Sequence, residues 1–151
     1  MKQKLLIFAV LIIYTLITSS YVKAQTGNSL QSPDRIEIHK NEKLVIIWTS
    51  GDREVALKMV FMYTYNAKKH KWWDDLTLLM WGPSSKLLSE DKELQDYIKK
   101  IIESGVVVKA CKGCSDMYGV SEALEELGIN VYYVGKELTE YIKEGRNILT
   151  F

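Results

Sequence analysis

Two cysteines, three positions apart, are the residues of this sequence best suited to covalent chemistry. Cys111 and Cys114 lie in the segment Ala110-Cys111-Lys112-Gly113-Cys114, and no other cysteine occurs in the 151 residues. This spacing lets two sulfurs exchange a disulfide with little movement of the backbone. The pair therefore indicates either one local disulfide or a thiol pair kept for disulfide exchange or for accepting a sulfur atom.

The surroundings of Cys111 favour its reactive form. The residue falls between a predicted strand and a predicted helix, where free N–H groups and the helix dipole stabilise a thiolate. Lys109 and Lys112 add positive charge nearby, whereas Asp116 would oppose ionisation if it faced the sulfur. The alternative is a small buried apolar residue at a strand end, which is a common role for cysteine.

Two other classes of cysteine site fit the sequence poorly. Thioredoxin-like sites need a proline that follows the motif and faces the sulfurs, but Pro33 and Pro83 both precede it. A structural zinc site needs four ligands, and the only imidazoles are those of His39 and His70. We therefore expect neither a metal nor a cofactor.

The elements that must position the cysteines follow from the hydrophobic pattern. Apolar runs of four to six residues alternate with segments whose apolar residues recur at three and four, which predicts βαβ units. The predicted strands are 44–48, 76–80, 106–108 running into Cys111, 129–134 and 148–151. The predicted helices are marked by apolar residues at helical spacing. These are Ala56, Met59, Val60 and Tyr63, which share one face; Leu94, Ile98, Ile101 and Ile102; Met117, Val120, Leu124 and Leu127; and Leu138, Tyr141 and Ile142.

This pattern predicts an α/β fold with a mostly parallel sheet covered on both faces. In such open sheets the ligand site lies outside the carboxyl ends of the strands, here 48–52, 81–84, 111–114 and 135–136. Besides the cysteines, the candidate substrate-binding residues at these ends are Trp48, Ser50, Trp81, Ser84 and Lys112. The two tryptophans would either wall the cysteine pocket or serve in packing and oligomer contacts.

The first 24 residues have the pattern of a signal peptide. Lys2 and Lys4 precede an apolar run over 5–17, which is shorter than a membrane span needs, and Val22-x-Ala24 supplies a cleavage signal. We expect cleavage after Ala24 and export to the periplasm or the exterior, so that a membrane would be met only through this segment if it stayed uncleaved.

The remaining chain is predicted to be one domain, 43–151, preceded by a flexible polar tail over 25–42. The whole chain has 20 basic and 19 acidic residues, and the leader holds only basic ones, so the mature protein is slightly acidic. Nothing in this balance favours nucleic acid. The basic run from Lys68 to Lys71 falls at a predicted helix C-terminus, where cations complement the dipole.

The sequence resembles the DsrE-like family of sulfur-handling proteins over about 43–151. The resemblance rests on Trp72-Trp73-Asp74-Asp75, on 81–88, on 110–114 and on the ending Leu149-Thr150-Phe151. It implies a three-layer α/β/α fold with a five-stranded sheet, flavodoxin-like in general architecture, and it also implies homo-oligomers.

The best understood members of this family carry sulfur as a cysteine persulfide and pass it to a partner. Cys111 is the matching residue, whereas Cys114 has no counterpart in the relay subunits. The resemblance therefore implies a sulfurtransferase-type carrier or thiol-redox protein at Cys111, with an unidentified sulfur donor and acceptor. It leaves three roles open for Cys114: a thiol that resolves the persulfide, a disulfide partner of Cys111, or no role. The alternative is a non-catalytic oligomeric binding or scaffold module whose cysteines are oxidised.

Overall fold

The computed structural model describes residues 42–151, which fold around five strands. The predicted leader (1–24) and the predicted tail, apart from Glu42, lie outside the described residues. The strands are β1 Lys43–Trp48, β2 Asp75–Met80, β3 Val107–Cys111, β4 Asn130–Tyr132 and β5 Asn147–Thr150. Each predicted strand is therefore present, with ends that differ by up to two residues.

The helices connect these strands in chain order. Helix α1 is continuous and consists of Arg53–Val55, a π-helical segment Ala56–Phe61, and Met62–Lys69. The others are α2 Pro83–Glu90, α3 Lys92–Glu103, α4 Lys112–Tyr118, α5 Ser121–Glu126 and α6 Gly135–Lys143.

The five strands form one parallel sheet in the order β4-β3-β2-β1-β5. From β1 to β4 each strand is added in the same direction, so right-handed crossovers place the helices between them on one side, the first face. The connection from β4 to β5 runs back across the whole sheet, and the same handedness places α6 on the opposite side, the second face. The three-layer α/β/α fold predicted from the sequence is confirmed.

The larger core lies between the first face and helices α1 to α5. Alternate residues of each strand point to this side. Leu44, Ile46 and Trp48 of β1 meet Val60 and Phe61 of α1 in one buried cluster. The same cluster continues through Leu78, Leu88, Ile98, Ile101 and Leu124, each of them fully buried. Burying one such side chain contributes about 1.5–3 kcal/mol, so this core supplies most of the driving force for folding.

A smaller core lies on the second face under α6. Val45 and Ile47 of β1 share this cluster with Cys111, Val134 and Tyr141. Cys111 is therefore on the side of the sheet that a single helix covers, away from the larger core.

Three features of the helices differ from the sequence pattern. The π-helical segment of α1 turns both Val60 and Phe61 inward and leaves Met59, predicted to be buried, half exposed. The predicted third helix is divided at Gly119, whose φ of +69° ends α4, and Met117 is 86% exposed. Helix α2 was not predicted because its segment Pro-Ser-Ser-Lys lacks the apolar spacing of a helix face.

Candidate active site

Cys111 lies at the junction that its sequence context predicts. It is the last residue of β3 and the residue that precedes α4, with extended backbone angles (φ −68°, ψ 110°). Its side chain is 9% exposed and belongs to the core cluster of the second face. The sulfur is thus held in apolar surroundings at the carboxyl end of the sheet.

The sheet topology creates a crevice at this point. The chain leaves β3 towards the first face, where α4 follows, but it leaves the neighbouring β4 towards the second face, where α6 follows. Adjacent strands whose connections diverge in this way form the topological switch point at which open α/β sheets bind ligands. Cys111 lies on the β3 side of this crevice, and Tyr133, which is 70% exposed, follows β4 on the other.

Gly113 connects the two sides of the crevice. A Cβ atom at Gly113 would be 3.8 Å from the ring of Tyr133 and 4.0 Å from the sulfur of Cys111. The absence of a side chain therefore leaves room between the thiol and the tyrosine ring. A side chain at this position would occupy part of that space.

Both cysteines are free thiols, and they contact one another. Cys114 is partly buried in the same cluster as Cys111. Burial raises the pKa of the Cys114 thiol, and its hydrogen bond with Cys111 raises it further, against a smaller lowering by the backbone N–H of Gly82. Cys114 is therefore a thiol that retains its proton at neutral pH.

The loop after β2 supplies the N–H group that reaches Cys114. Gly82 has φ +78° and ψ −134°, a backbone conformation that residues with a side chain rarely adopt. Trp81, the residue before it, packs against the cluster that contains Cys111. This loop thus forms a third wall of the site, next to the β3–α4 junction that carries both cysteines and the segment that follows β4.

The lysines that flank Cys111 in sequence are both paired with carboxylates. Lys109 Nζ donates to Glu137 Oε1 (2.7 Å) and to the Tyr141 hydroxyl (2.8 Å). Lys112 Nζ donates to both carboxylate oxygens of Asp116, at 2.7 and 2.9 Å. The positive charge that the sequence places beside the thiol is therefore largely compensated by these carboxylates.

The Lys109 pair is the more deeply buried of the two. The Lys109 side chain is 13% exposed, and Glu137 also accepts a hydrogen bond from the Tyr132 hydroxyl. Burial disfavours the ammonium, but hydrogen bonds to Glu137, Tyr141 and Tyr132 outweigh it and raise the pKa of Lys109. Lys109 therefore stays charged and cannot act as a base.

The negative charge of Asp116, which could oppose ionisation of Cys111, is paired with other groups. Its carboxylate accepts from Lys112 and from the Ser121 hydroxyl (2.6 Å), and these hydrogen bonds lower the pKa of Asp116. Ser121 also contacts the buried Ser115 hydroxyl at 2.7 Å. Asp116 and its partners thus connect the start of α4 to the start of α5.

The other sequence candidates are placed in different roles. Trp48 is fully buried on the first face, edge-on to Phe61 with ring centroids 5.0 Å apart, so it does not wall the cysteine pocket. The buried Ser84 hydroxyl donates to the Trp48 carbonyl (2.6 Å), and Ser50 Oγ accepts from the Asp52 amide (3.0 Å). The structure brings Trp81, but not Trp48 or Ser50, to the cysteines.

Sequence reasoning missed residues that follow or face β4. Tyr132, Glu137 and Tyr141 surround Lys109, and Tyr133 borders the crevice. Residues 132–137 end and follow β4, the strand next to β3, and this position could have identified them. Using that signal requires the strand order, which the sequence alone did not provide.

Two features are absent from the described part of the chain. Among residues 42–151, no three His, Cys, Asp or Glu side chains come together in a way that could hold a metal ion. Within the same range, no helix has both the length and the apolar character needed to cross a membrane.

Comparisons with known proteins agree on one fold. The model of the DsrE/DsrF-like family matches residues 42–151. A conserved protein of unknown function from Bacteroides thetaiotaomicron, BT1422, is 38% identical with a TM-score of 0.72, and the match covers 74% of this chain and 96% of that one. No curated protein matches the sequence.

Two more distant solved structures share the fold alone. The ychN protein from E. coli is 19% identical with a TM-score of 0.56, over 72% of this chain and 98% of its own. The protein of unknown function MTH1491 from Methanobacterium thermoautotrophicum is 16% identical with a TM-score of 0.57, over 72% and 99%.

Proposed function

The chain belongs to the DsrE/DsrF-like family, and from this premise we propose that it carries sulfane sulfur as a persulfide on Cys111, with Cys114 as the resolving thiol. The observation that supports this most directly is the contact between two free thiols at the β3–β4 switch point. A buried structural cysteine would need neither the crevice nor a second thiol.

Loading transfers one sulfur atom without net oxidation. The Cys111 thiolate attacks the outer sulfur of a donor persulfide, a new S–S bond forms, and the donor's own S–S bond breaks so that the donor leaves as a thiolate. Unloading is the same step in reverse order: an acceptor thiolate attacks the outer sulfur, and Cys111 leaves as a thiolate.

Cys114 offers a second route out of the loaded state. Its thiolate attacks the inner sulfur of the persulfide, a Cys111–Cys114 disulfide forms, and hydrosulfide leaves with the electron pair of the broken bond. Two thiols of a reductant then restore the dithiol. Because its pKa is raised, Cys114 is mostly protonated at neutral pH, so this loss is slow and an external acceptor can react first.

Mass spectrometry of the intact protein tests the assignment. After incubation with a low-molecular-weight persulfide, the wild type should gain one sulfur atom and Cys111→Ser should gain none. Cys114→Ser, the matched control, should load as well as the wild type and should hold the sulfur longer. Equal loading of the wild type and Cys111→Ser would show that the wrong sulfur was chosen.

The non-catalytic alternative makes a different prediction for the native thiols. Titration of protein purified from its own compartment should find two reactive thiols if the protein is a carrier. A scaffold whose cysteines are oxidised would show none.

The proposed location is outside the cytoplasm, and it rests on residues 1–24, which are outside the described part of the chain. N-terminal sequencing of the exported protein should find Gln25 as the first residue. A membrane-bound chain that still begins at Met1 would contradict a cleaved signal.

A further inference from the structure

We propose that the outer surface of helix α1 docks on an anionic membrane surface. This surface, the α1 patch, consists of the apolar side chains Met59, Met62, Tyr63 and Trp72 and the basic side chains Lys58, Lys69 and Lys71. Exposure, charge and the point at which the chain enters the domain support the proposal independently of the cysteine site.

Large apolar side chains are exposed across the patch. Met59 and Met62 are each 50% exposed, and Trp72, just beyond the helix end, is 51% exposed. The Trp72 ring stacks on His70 (centroids 5.7 Å apart) and contacts Tyr63 (5.9 Å). Tryptophan and tyrosine, with an apolar body and a polar tip, are the side chains enriched where membrane meets water.

The π-helical segment explains why two methionines face outward together. It turns Val60 and Phe61 into the core, so Met59 and Met62 on either side of them remain at the surface. Methionine is flexible and adapts its shape to irregular apolar surroundings. Such side chains suit the disordered boundary of a bilayer better than a rigid protein groove.

The basic residues of the patch carry charge that the domain does not compensate. Lys58 and Lys69 lie on α1 and Lys71 follows it, and none of the three forms an ion pair with residues 42–151. The helix dipole accounts for Lys69 in the last turn, but not for Lys58 or for Lys71 beyond the helix end. Uncompensated lysines along a helix that also exposes apolar side chains are complementary to anionic lipid headgroups.

A surface cavity of about 370 Å³ opens beside the patch. Lys68 and Lys71 line it together with Trp73, Asp74 and Ser104. The lining includes two lysines and one aspartate, so the cavity has a net positive charge and can accommodate a headgroup phosphate.

The described domain begins next to the patch. The carbonyl of Glu42, the first described residue, accepts a hydrogen bond from the Asp74 amide (2.9 Å), two residues after Trp72. The chain therefore enters the described domain beside the patch.

Quenching of tryptophan fluorescence by brominated lipids tests the proposal on the protein that begins at Gln25, which lacks the apolar leader. All four tryptophans lie in the described domain, and Trp72 is the one more than half exposed. Vesicles of brominated phosphatidylglycerol should quench the wild type, and Trp72→Phe should remove most of the quenching, whereas the control Trp81→Phe should retain it. Brominated phosphatidylcholine should quench much less.

Charge variants provide the second arm. Lys58→Gln, Lys69→Gln and Lys71→Gln together should weaken binding to anionic vesicles tenfold or more, whereas the matched control, Lys99→Gln, Lys100→Gln and Lys143→Gln, should stay within twofold of wild type. Three outcomes would overturn the proposal: no quenching of Trp72, equal quenching by neutral lipid, or equal loss in both variants. An oligomer that dissociates on Trp72→Phe without vesicles would also overturn it, because a second copy would then cover the patch.

Discussion

At the scale of single residues, the contact between the two thiols predicts that each sulfur controls the other. Cys111→Ala removes the hydrogen bond that raises the pKa of Cys114 and leaves the Gly82 N–H in place. We therefore expect the pKa of Cys114 to fall in this variant. The rate of Cys114 alkylation as a function of pH gives this pKa, and the same measurement on the wild type is the reference. An unchanged or higher pKa would mean that the thiols do not interact.

The raised pKa of Cys114 also predicts how the persulfide is lost with pH. Internal attack requires the Cys114 thiolate, whose population grows as pH rises towards the raised pKa. Hydrosulfide release from loaded protein should therefore be slow at neutral pH and faster in alkaline buffer. Colorimetric detection of hydrosulfide follows the reaction. Cys114→Ser should show no such pH dependence, and the same rise in that variant would assign the release to water or to an external thiol.

The sequence predicted the position of Cys111 but not its surroundings. An apolar strand run followed by a helix pattern is a local signal, and it placed the cysteine at the strand end correctly. The pairing of Lys109 with Glu137 joins residues 28 positions apart, so no local pattern reports it. Trp48 was predicted to belong to the site because it ends a strand. Alternate residues of a strand point to opposite faces, however, so Trp48 lies with Leu44 and Ile46 on the face opposite Cys111.

At the scale of elements, the Lys109–Glu137 pair fastens the one helix that covers the second face. Glu137→Ala would leave the largely buried Lys109 without its carboxylate, and removing one partner of such a pair costs about 2–3 kcal/mol once partial exposure is allowed for. Urea denaturation should show this loss in the free energy of unfolding. Glu140→Ala, an exposed position on the same helix, is the control and should change stability little.

The pH dependence of this effect has a definite sign. Burial would raise the pKa of Glu137, but its hydrogen bonds with Lys109, Tyr132 and Tyr141 lower it on balance. A lowered folded-state pKa contributes stability above the ordinary glutamate value, and this is lost as pH falls through the folded value. The difference in the free energy of unfolding between wild type and Glu137→Ala should therefore have its full value at pH 7 and should shrink in acid. A difference that stays constant into acid would exclude the ion pair as its cause.

Helix boundaries were the part of the fold that the sequence predicted least well. Strands were found because buried parallel strands are continuous apolar runs. The π-helical segment of α1 changes the spacing of buried residues from that of a regular helix, so a pattern of three and four assigned Met59 to the core. Gly119 lay inside an apolar pattern that continued across it, which concealed the break between α4 and α5.

At the scale of the whole molecule, the five-stranded sheet is covered unequally. Five helices cover the first face, and α6 alone covers the second. Three apolar side chains remain exposed around α6: Val107 at 44%, Ile148 at 37% and Ile142 at 59%. Aromatic residues beside β2 are also of a kind enriched at interfaces, but three of them have partners within the domain: the indole N–H of Trp73 donates to the Tyr63 hydroxyl, and Tyr65 packs on Tyr97.

We therefore predict that the homo-oligomer implied by the family resemblance forms through the second face. Ile142→Glu places a charge in the most exposed of these apolar positions, and burying it against a second copy would be unfavourable. Light scattering at micromolar concentration should show an oligomer for the wild type and a smaller species for Ile142→Glu. Met117→Glu, at an 86% exposed position on the other face's helices, should leave the oligomer intact. A wild type that is monomeric under these conditions would contradict self-association, and an oligomer that persists in Ile142→Glu would place the interface elsewhere.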